Sequence, residues 1–190
     1  MPRNRRDIPR EERLSALLDV AQRLFVDRTF DAVTMAEIAR QSGVKSGAVY
    51  WYFPTKDHVL AAVMERASAA LWRGLDELPA DVAPADRLVY FLTSLRPLRS
   101  IHVAMHSRMA RSDVVADAHL VLMSRFRELA MSALDMSDGE FDRSLAVEAL
   151  CAAFEGANMD PDLERSGTEI VQFLLTRVLL RQGREAPRHM

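Results

Sequence analysis

The sequence predicts an all-α fold of about nine helices, with an N-terminal three-helix domain and a larger C-terminal helical domain. Three observations predict it. Apolar residues recur at three-to-four spacing through almost every stretch between breaks, the period of one buried helix face. Strand-like alternation of useful length is absent, and so is any internal repeat. The breaks themselves carry the residues that cap or stop helices.

Taken in order, residues 10–28 place Leu14, Leu17, Leu18, Ala21, Leu24 and Phe25 on one face. "TFDAV" interrupts that pattern. Thr34 is then an N-cap, with Glu37 three residues later to complete a capping box. A short helix follows from Met35 to about Gln41, with Ile38 and Ala39 inward. Gly43 supplies a tight turn, because it takes positive φ at little cost. A second short helix spans about Ser46 to Tyr52. Pro54 stops it, since proline disfavours helix at Phe53 and cannot donate to the ladder. Thr55 caps a long helix, Lys56 to about Leu78, with Val59, Leu60, Val63, Met64, Ala67, Leu71 and Trp72 inward. "LPADVAPAD" is a proline-punctuated linker. Helices then follow at 85–95, 98–110, 114–136, 140–157 and 162–182, separated by Pro97, "RSD", "SDG" and "NMDPD". The expected organisation is a flexible basic arm (1–9), a helix-turn-helix domain (10–56), a second helical domain (57–183) and a frayed tail (184–190). Arg3, Arg5 and Arg6 of the arm read either as a solvated tail or as a phosphate-grazing one.

The net charge of -2 is unevenly spread. Residues 1–60 carry 10 Arg and Lys against 8 Asp and Glu, and the remainder 15 against 19. The basic end is also where both lysines of the chain, Lys45 and Lys56, bracket four consecutive aromatics, Tyr50 to Phe53. A single cysteine, Cys151, excludes an intramolecular disulfide and fits a reducing compartment. No apolar run approaches the roughly 18 residues of a membrane span, so a cytoplasmic, soluble protein is expected, with no membrane partner. An enzyme would need a nucleophile with its base, paired carboxylates or a glycine-rich phosphate loop, and none is legible.

A helix, a glycine turn and a second short helix resting on a long first helix make a helix-turn-helix. On the second short helix Val49 and Phe53 share a face and should pack against Ile38 and Leu24. Lys45, Ala48 and Tyr52 then take another face, with Gly47, Tyr50 and Trp51 around the side. That surface is poor for a core and suited to a DNA major groove. Gly47 and Ala48 let the backbone approach base edges, and tyrosine hydroxyls and lysine ammonium groups donate to phosphates. Lys56, in the first turn of the next helix, lies where free N–H groups also favour phosphate.

"TMAEIARQSGVKSGAVYWYFPTKDHVLAAV", Thr34 to Val63, resembles the DNA-binding region of the TetR family of transcriptional regulators. Thr34, Ile38, Ala39, Gly43, Val44, Gly47, Val49, Tyr50, Tyr52, Phe53 and Lys56 match its recurring pattern in order, and the likeness covers about residues 10–65. It implies that Thr34, Tyr50, Tyr52 and Lys56 touch phosphates, while Lys45, Ser46, Gly47 and Ala48 face bases. Trp51 either flanks the groove or braces the first helix. The resemblance further implies that the remaining helices bind a small effector and form a homodimer, so that effector binding changes the separation of two reading heads and releases a palindromic operator. The alternative is a DNA-binding regulator without small-molecule control. Two positions depart from the pattern. Thr29 stands where the family has glycine, so the first helix must end without positive φ. Ala36 replaces a longer polar residue and removes one backbone contact.

Beyond residue 65 composition carries the reading. Methionine is plentiful, at 105, 109, 123, 131 and 136, and its adaptable shape suits either a pocket or an ordinary core. The candidate effector-binding residues are Phe91, Leu95, His102, Met105, His106, Met109, Met123 and Phe126. His102 and His106 have the spacing of a two-histidine metal site, with His119 a third donor and Cys151 a distant fourth. No acidic residue or second cysteine sits at supporting spacing, so no metal or other cofactor is expected. These histidines then read as polar anchors for an organic ligand, or as surface or internally satisfied groups. Small residues repeat through "LAVEALCAAFEGA", and "IVQFLLTRVLL" is apolar nearly all round. Ala146, Ala149, Leu150, Ala153, Phe154, Ile170, Leu174 and Val178 are therefore candidates for a two-fold, four-helix interface.

Overall fold

A computed structural model describes residues 9–134, 142–159 and 165–182, the side chains of 158 and 178–182 excepted. The basic arm before residue 9, the tail after 183, Met136, the predicted helix starts at 140 and 162, and the Val178 side chain lie outside the described residues. Among those described, every regular element is helical: α1 (Arg10–Asp27), α2 (Met35–Ser42), α3 (Ser46–Tyr52), α4 (Lys56–Asp76), α5 (Pro84–Leu95), α6 (Arg99–Met109), α7 (Asp113–Ala133), α8 (Arg143–Met159) and α9 (Gly167–Gln182). Short 3₁₀ turns occupy Phe30–Ala32 and Arg96–Leu98.

Helix boundaries differ from expectation by a few residues, for local reasons. α9 begins at Gly167 because Ser166 and Glu169 form a reciprocal capping box: the Ser166 N–H donates to Glu169 Oε2 at 2.9 Å, and the Glu169 N–H to Ser166 Oγ at 3.3 Å. The bond from the Ser166 N–H, with those from the Ser166 hydroxyl and Arg165, holds the Glu169 carboxyl below its ordinary range. α8 begins at Arg143, where Asp142 Oδ1 accepts the Leu145 N–H. Pro84 sits at the first position of α5, where its missing N–H costs nothing.

The chain divides into two compact units, and not at the linear boundary after residue 56. Among the described residues, unit 1 holds those up to Ser68 together with Pro97–His119, and unit 2 holds Ala69–Arg96 together with those from Leu120. Unit 1 is built on α1, whose Leu17, Ala21, Leu24 and Phe25 are buried with Ile38, Val49, Val59 and Leu60. Each of these side chains except Ala21 contributes about 1.5–3 kcal/mol by leaving water. α6 joins this unit because it lies against α1, where Ser100 Oγ donates to the Val26 carbonyl. Arg66 of α4 grips α1 at Asp19, the Ser15 carbonyl and Gln22.

Unit 2 is organised by an aromatic run. Trp72 stacks on Phe91 with centroids 4.9 Å apart, Phe91 meets Phe126 at 5.9 Å, and Phe126 stacks on Phe154 at 4.7 Å. α8 and α9 form its most extensive helix pair, and α5 lies against α9. Leu150 and Phe154 are therefore core residues of the single chain, a correction to their place among the interface candidates. Their spacing put them on the small-residue helix but did not reveal which face of it the aromatic run would claim. Ala146 is buried too, Ala153, Ile170 and Leu174 are half-buried, and Ala149 is exposed. The most exposed large apolar side chains of α8 and α9 among the described residues are Leu145 and Phe173, 62% and 58% exposed. Cys151 is buried, and burial pushes its thiol up. No helix among the described residues is long and apolar enough to cross a membrane.

Candidate nucleic-acid interface

The turn between α2 and α3 follows the predicted chemistry. Gly43 closes α2 at φ 70°, the left-handed region, and the Val44 N–H returns to the Ala39 carbonyl. Thr34 caps α2 by accepting the Glu37 N–H at 3.1 Å. The capping box is only half formed, however. Glu37 turns its carboxylate to Arg28 at 2.7 Å instead of back to Thr34. Arg28 also donates to the Ala32 carbonyl, and this is how α1 ends without a glycine. Arg28 is extended (φ -141°), Thr29 keeps φ at -63°, and the 3₁₀ turn begins.

α3 presents a distinct outer surface. Val49 is fully buried, and Phe53, expected inward with it, is half-buried because the chain leaves the helix there in an extended conformation. Thr34, Lys45, Ser46, Gly47, Ala48, Tyr50 and Trp51 are exposed, and Tyr52 is half-buried. A Cβ added to Gly47 would meet nothing within 4 Å, so internal packing does not require glycine there. Trp51 is 68% exposed, yet it carries the Arg10 guanidinium at 4.6 Å from its ring centroid and sits edge-on to Tyr52. It thus ties the first turn of α1 to the end of α3.

Lys56 is placed differently from its neighbours. Its ammonium donates to the Phe30 and Val33 carbonyls, both at 2.7 Å, and lies 4.1 Å from the Phe30 ring centroid. Burial pulls its pKa down, with Asp31 opposing and Arg108 adding to the shift. It clamps the start of α4 to the 3₁₀ turn. Lys56→Met should therefore lower unfolding free energy in urea by about 1–2 kcal/mol, through two carbonyls left unpaired. The slope of log K for DNA against log salt should stay unchanged; a phosphate-binding lysine would instead reduce it by about one per head.

Sequence reasoning missed a second link. Arg108 of α6 grips Asp57 with two parallel bonds, both 3.0 Å, and its guanidinium is 5.5 Å from the Phe30 ring. This fork holds the first turn of α4, directly after α3, and the Asp57 carboxylate raises the Arg108 pKa. The partners are 51 residues apart, so no local pattern could announce them.

Residues 17–63 match the family model described as bacterial regulatory proteins, tetR family. The likeness is to the N-terminal part of that family's members. The HTH-type transcriptional repressor Rv3405c of Mycobacterium tuberculosis is 39% identical over 82 residues, which cover 42% of this chain and 44% of that protein. The likeness thus spans less than half of that relative's length. A crystal structure from Saccharomonospora viridis, in complex with choline, superposes with a TM-score of 0.73 at 19% identity, covering 90% of this chain and 97% of that one. A tetR-family transcriptional regulator from Streptomyces coelicolor does so with a TM-score of 0.70 at 23% identity, covering 91% and 81%. At these identities the two structures establish the fold: an N-terminal helix-turn-helix followed by a helical C-terminal part.

The effector candidates fall into two groups. Phe91, Leu95, Met123 and Phe126 belong to unit 2, and His102, Met105, His106 and Met109 to unit 1. Phe91 and Phe126 are fully buried in the aromatic run, and Met105 is fully buried in unit 1. A groove of about 640 Å³ opens between α5 and α9, where Val89, Gln172, Phe173 and Arg177 face it. None of the eight candidates lines it.

Proposed function

We propose that this chain is a transcriptional regulator, not an enzyme, that acts in the cytoplasm by binding a palindromic double-stranded DNA operator as a homodimer. The observation that carries this reading is the outer surface of α3. Folding leaves Lys45, Ser46, Gly47, Ala48, Tyr50 and Trp51 in solvent and asks only Val49 to be buried. Two small exposed residues, with open space before Gly47, flanked by a cation and hydroxyl groups, match a major-groove floor between two phosphate rows. Lys45, Thr34, Tyr50 and Tyr52 take the phosphates, and Lys56 and Arg108 hold the head in place.

Dimerisation through α8 and α9 is supported by the exposed Leu145 and Ala149. Control by a small effector, releasing the operator, is supported by the fold shared with a protein held in complex with choline and by the groove between α5 and α9. The test begins with fragments of the host genome selected for binding. On a selected palindrome, log K should fall linearly and steeply with log salt, with a slope of about -0.9 for each phosphate neutralised. An affinity indifferent to salt would sink the DNA reading.

A further inference from the structure

α6 carries His102 and His106 one turn apart, and the second turn of α7 brings His119 against both. Ring centroids lie 4.7 Å apart for His102 and His106, 4.6 Å for His106 and His119, and 5.7 Å for His102 and His119. One ring nitrogen from each histidine lies within 4.8 Å of those of the others. His102 and His119 are more than nine-tenths buried, and His106 is half-buried, so the cluster is largely enclosed. All three belong to unit 1, and Ile101, Met105, Val115 and Ala118, their neighbours in sequence, are buried apolar residues.

We propose that His102, His106 and His119 bind one divalent transition-metal ion of the zinc, cobalt and nickel class. Three imidazoles are borderline-soft nitrogen donors, which select these ions over magnesium or calcium. Nitrogens held at about 2.0–2.1 Å from a tetrahedral ion lie about 3.3 Å apart. The present spacing closes to that by side-chain movements of about 1 Å, within the reach of ordinary χ rotations. Three protein ligands leave a fourth position for water or an oxygen donor. The site stands independently of the DNA-binding reading, but its position gives it a mechanical consequence. His106 is two residues from Arg108, whose fork carries the first turn of α4, so an ion here would fasten α6 to α7 beside that link.

The test is a titration of Co²⁺ into the full chain after chelator treatment, followed by visible d–d absorption and by competition with Zn²⁺. One equivalent per chain is expected, with a rise in melting temperature on Zn²⁺ addition, because an ion that binds only the folded state stabilises it. His102→Ala, His106→Ala and His119→Ala should each weaken binding by at least about 10–100-fold, the loss that even outer-shell changes cause. A chain carrying His58→Ala and His189→Ala should bind as the parent does. Far-UV circular dichroism without metal checks that each variant is folded, and His106→Gln, at the half-buried position, gives a milder reading of the same loss. No binding by the parent chain, or equal binding by folded variants, would overturn the site.

Discussion

Ala48→Leu should abolish operator recognition while leaving the fold intact. Ala48 is exposed on a helix whose buried contact is Val49, so a larger side chain meets solvent and not a neighbour. Leucine is also nearly as good a helix former as alanine, so α3 should not unwind. Against DNA the same four-carbon side chain stands where the backbone must approach base edges. Lifting one head costs about 1–3 kcal/mol for each lost base interaction, and a dimer suffers it twice. Affinity for a selected palindrome should then fall by about 30-fold to 20,000-fold, measured by fluorescence anisotropy at fixed salt. Residual binding should be insensitive to sequence, because phosphate contacts alone survive. A variant that bound normally would place Ala48 outside the groove. One that lost its helical signal would make Ala48 a packing residue, contrary to its exposure.

The helix-turn-helix was legible because its signals are local. Thr34, Gly43 and Pro54 act within a few residues of themselves, and the structure gives the first two the roles their chemistry predicts. Helical spacing likewise separated Val49 from Tyr50 and Trp51. Illegible features are those fixed by side chains meeting across long stretches of chain. Lys56 reads as a phosphate donor because it begins a helix, but the sequence does not show that carbonyls 26 and 23 residues earlier accept two of its N–H groups. Spacing could pair His102 with His106, but only the fold brings His119 against both. The same limit explains Leu150 and Phe154: an apolar stretch has two faces to offer, and periodicity does not say which one the rest of the chain will cover. The route by which α1 ends at Arg28 and Thr29 was foreseen only as an exclusion of positive φ. The Arg28 bonds that achieve it join residues four and nine positions apart.

Phe126→Ala carries the largest expected cost in stability and decides what the interior of unit 2 is for. Phe126 is completely buried and touches an aromatic ring on each side, Phe91 at 5.9 Å and Phe154 at 4.7 Å. If this run is a packed core, truncation removes its central member, and the cavity left behind should cost about 3–5 kcal/mol. At about 2–4 °C per kcal/mol for a chain of this size, melting should fall by roughly 6–20 °C. Ring-to-ring geometry makes collapse around the gap difficult, because Phe91 is itself stacked on Trp72 and cannot slide without breaking that contact. If Phe126 instead lined an effector pocket, the truncated chain would merely enlarge it. Stability without effector would then change by less than about 1 kcal/mol, as for sites whose loss leaves no new void. The aromatic run favours the first outcome. It would direct the search for an organic effector away from Phe91 and Phe126 and towards the groove lined by Val89, Gln172, Phe173 and Arg177.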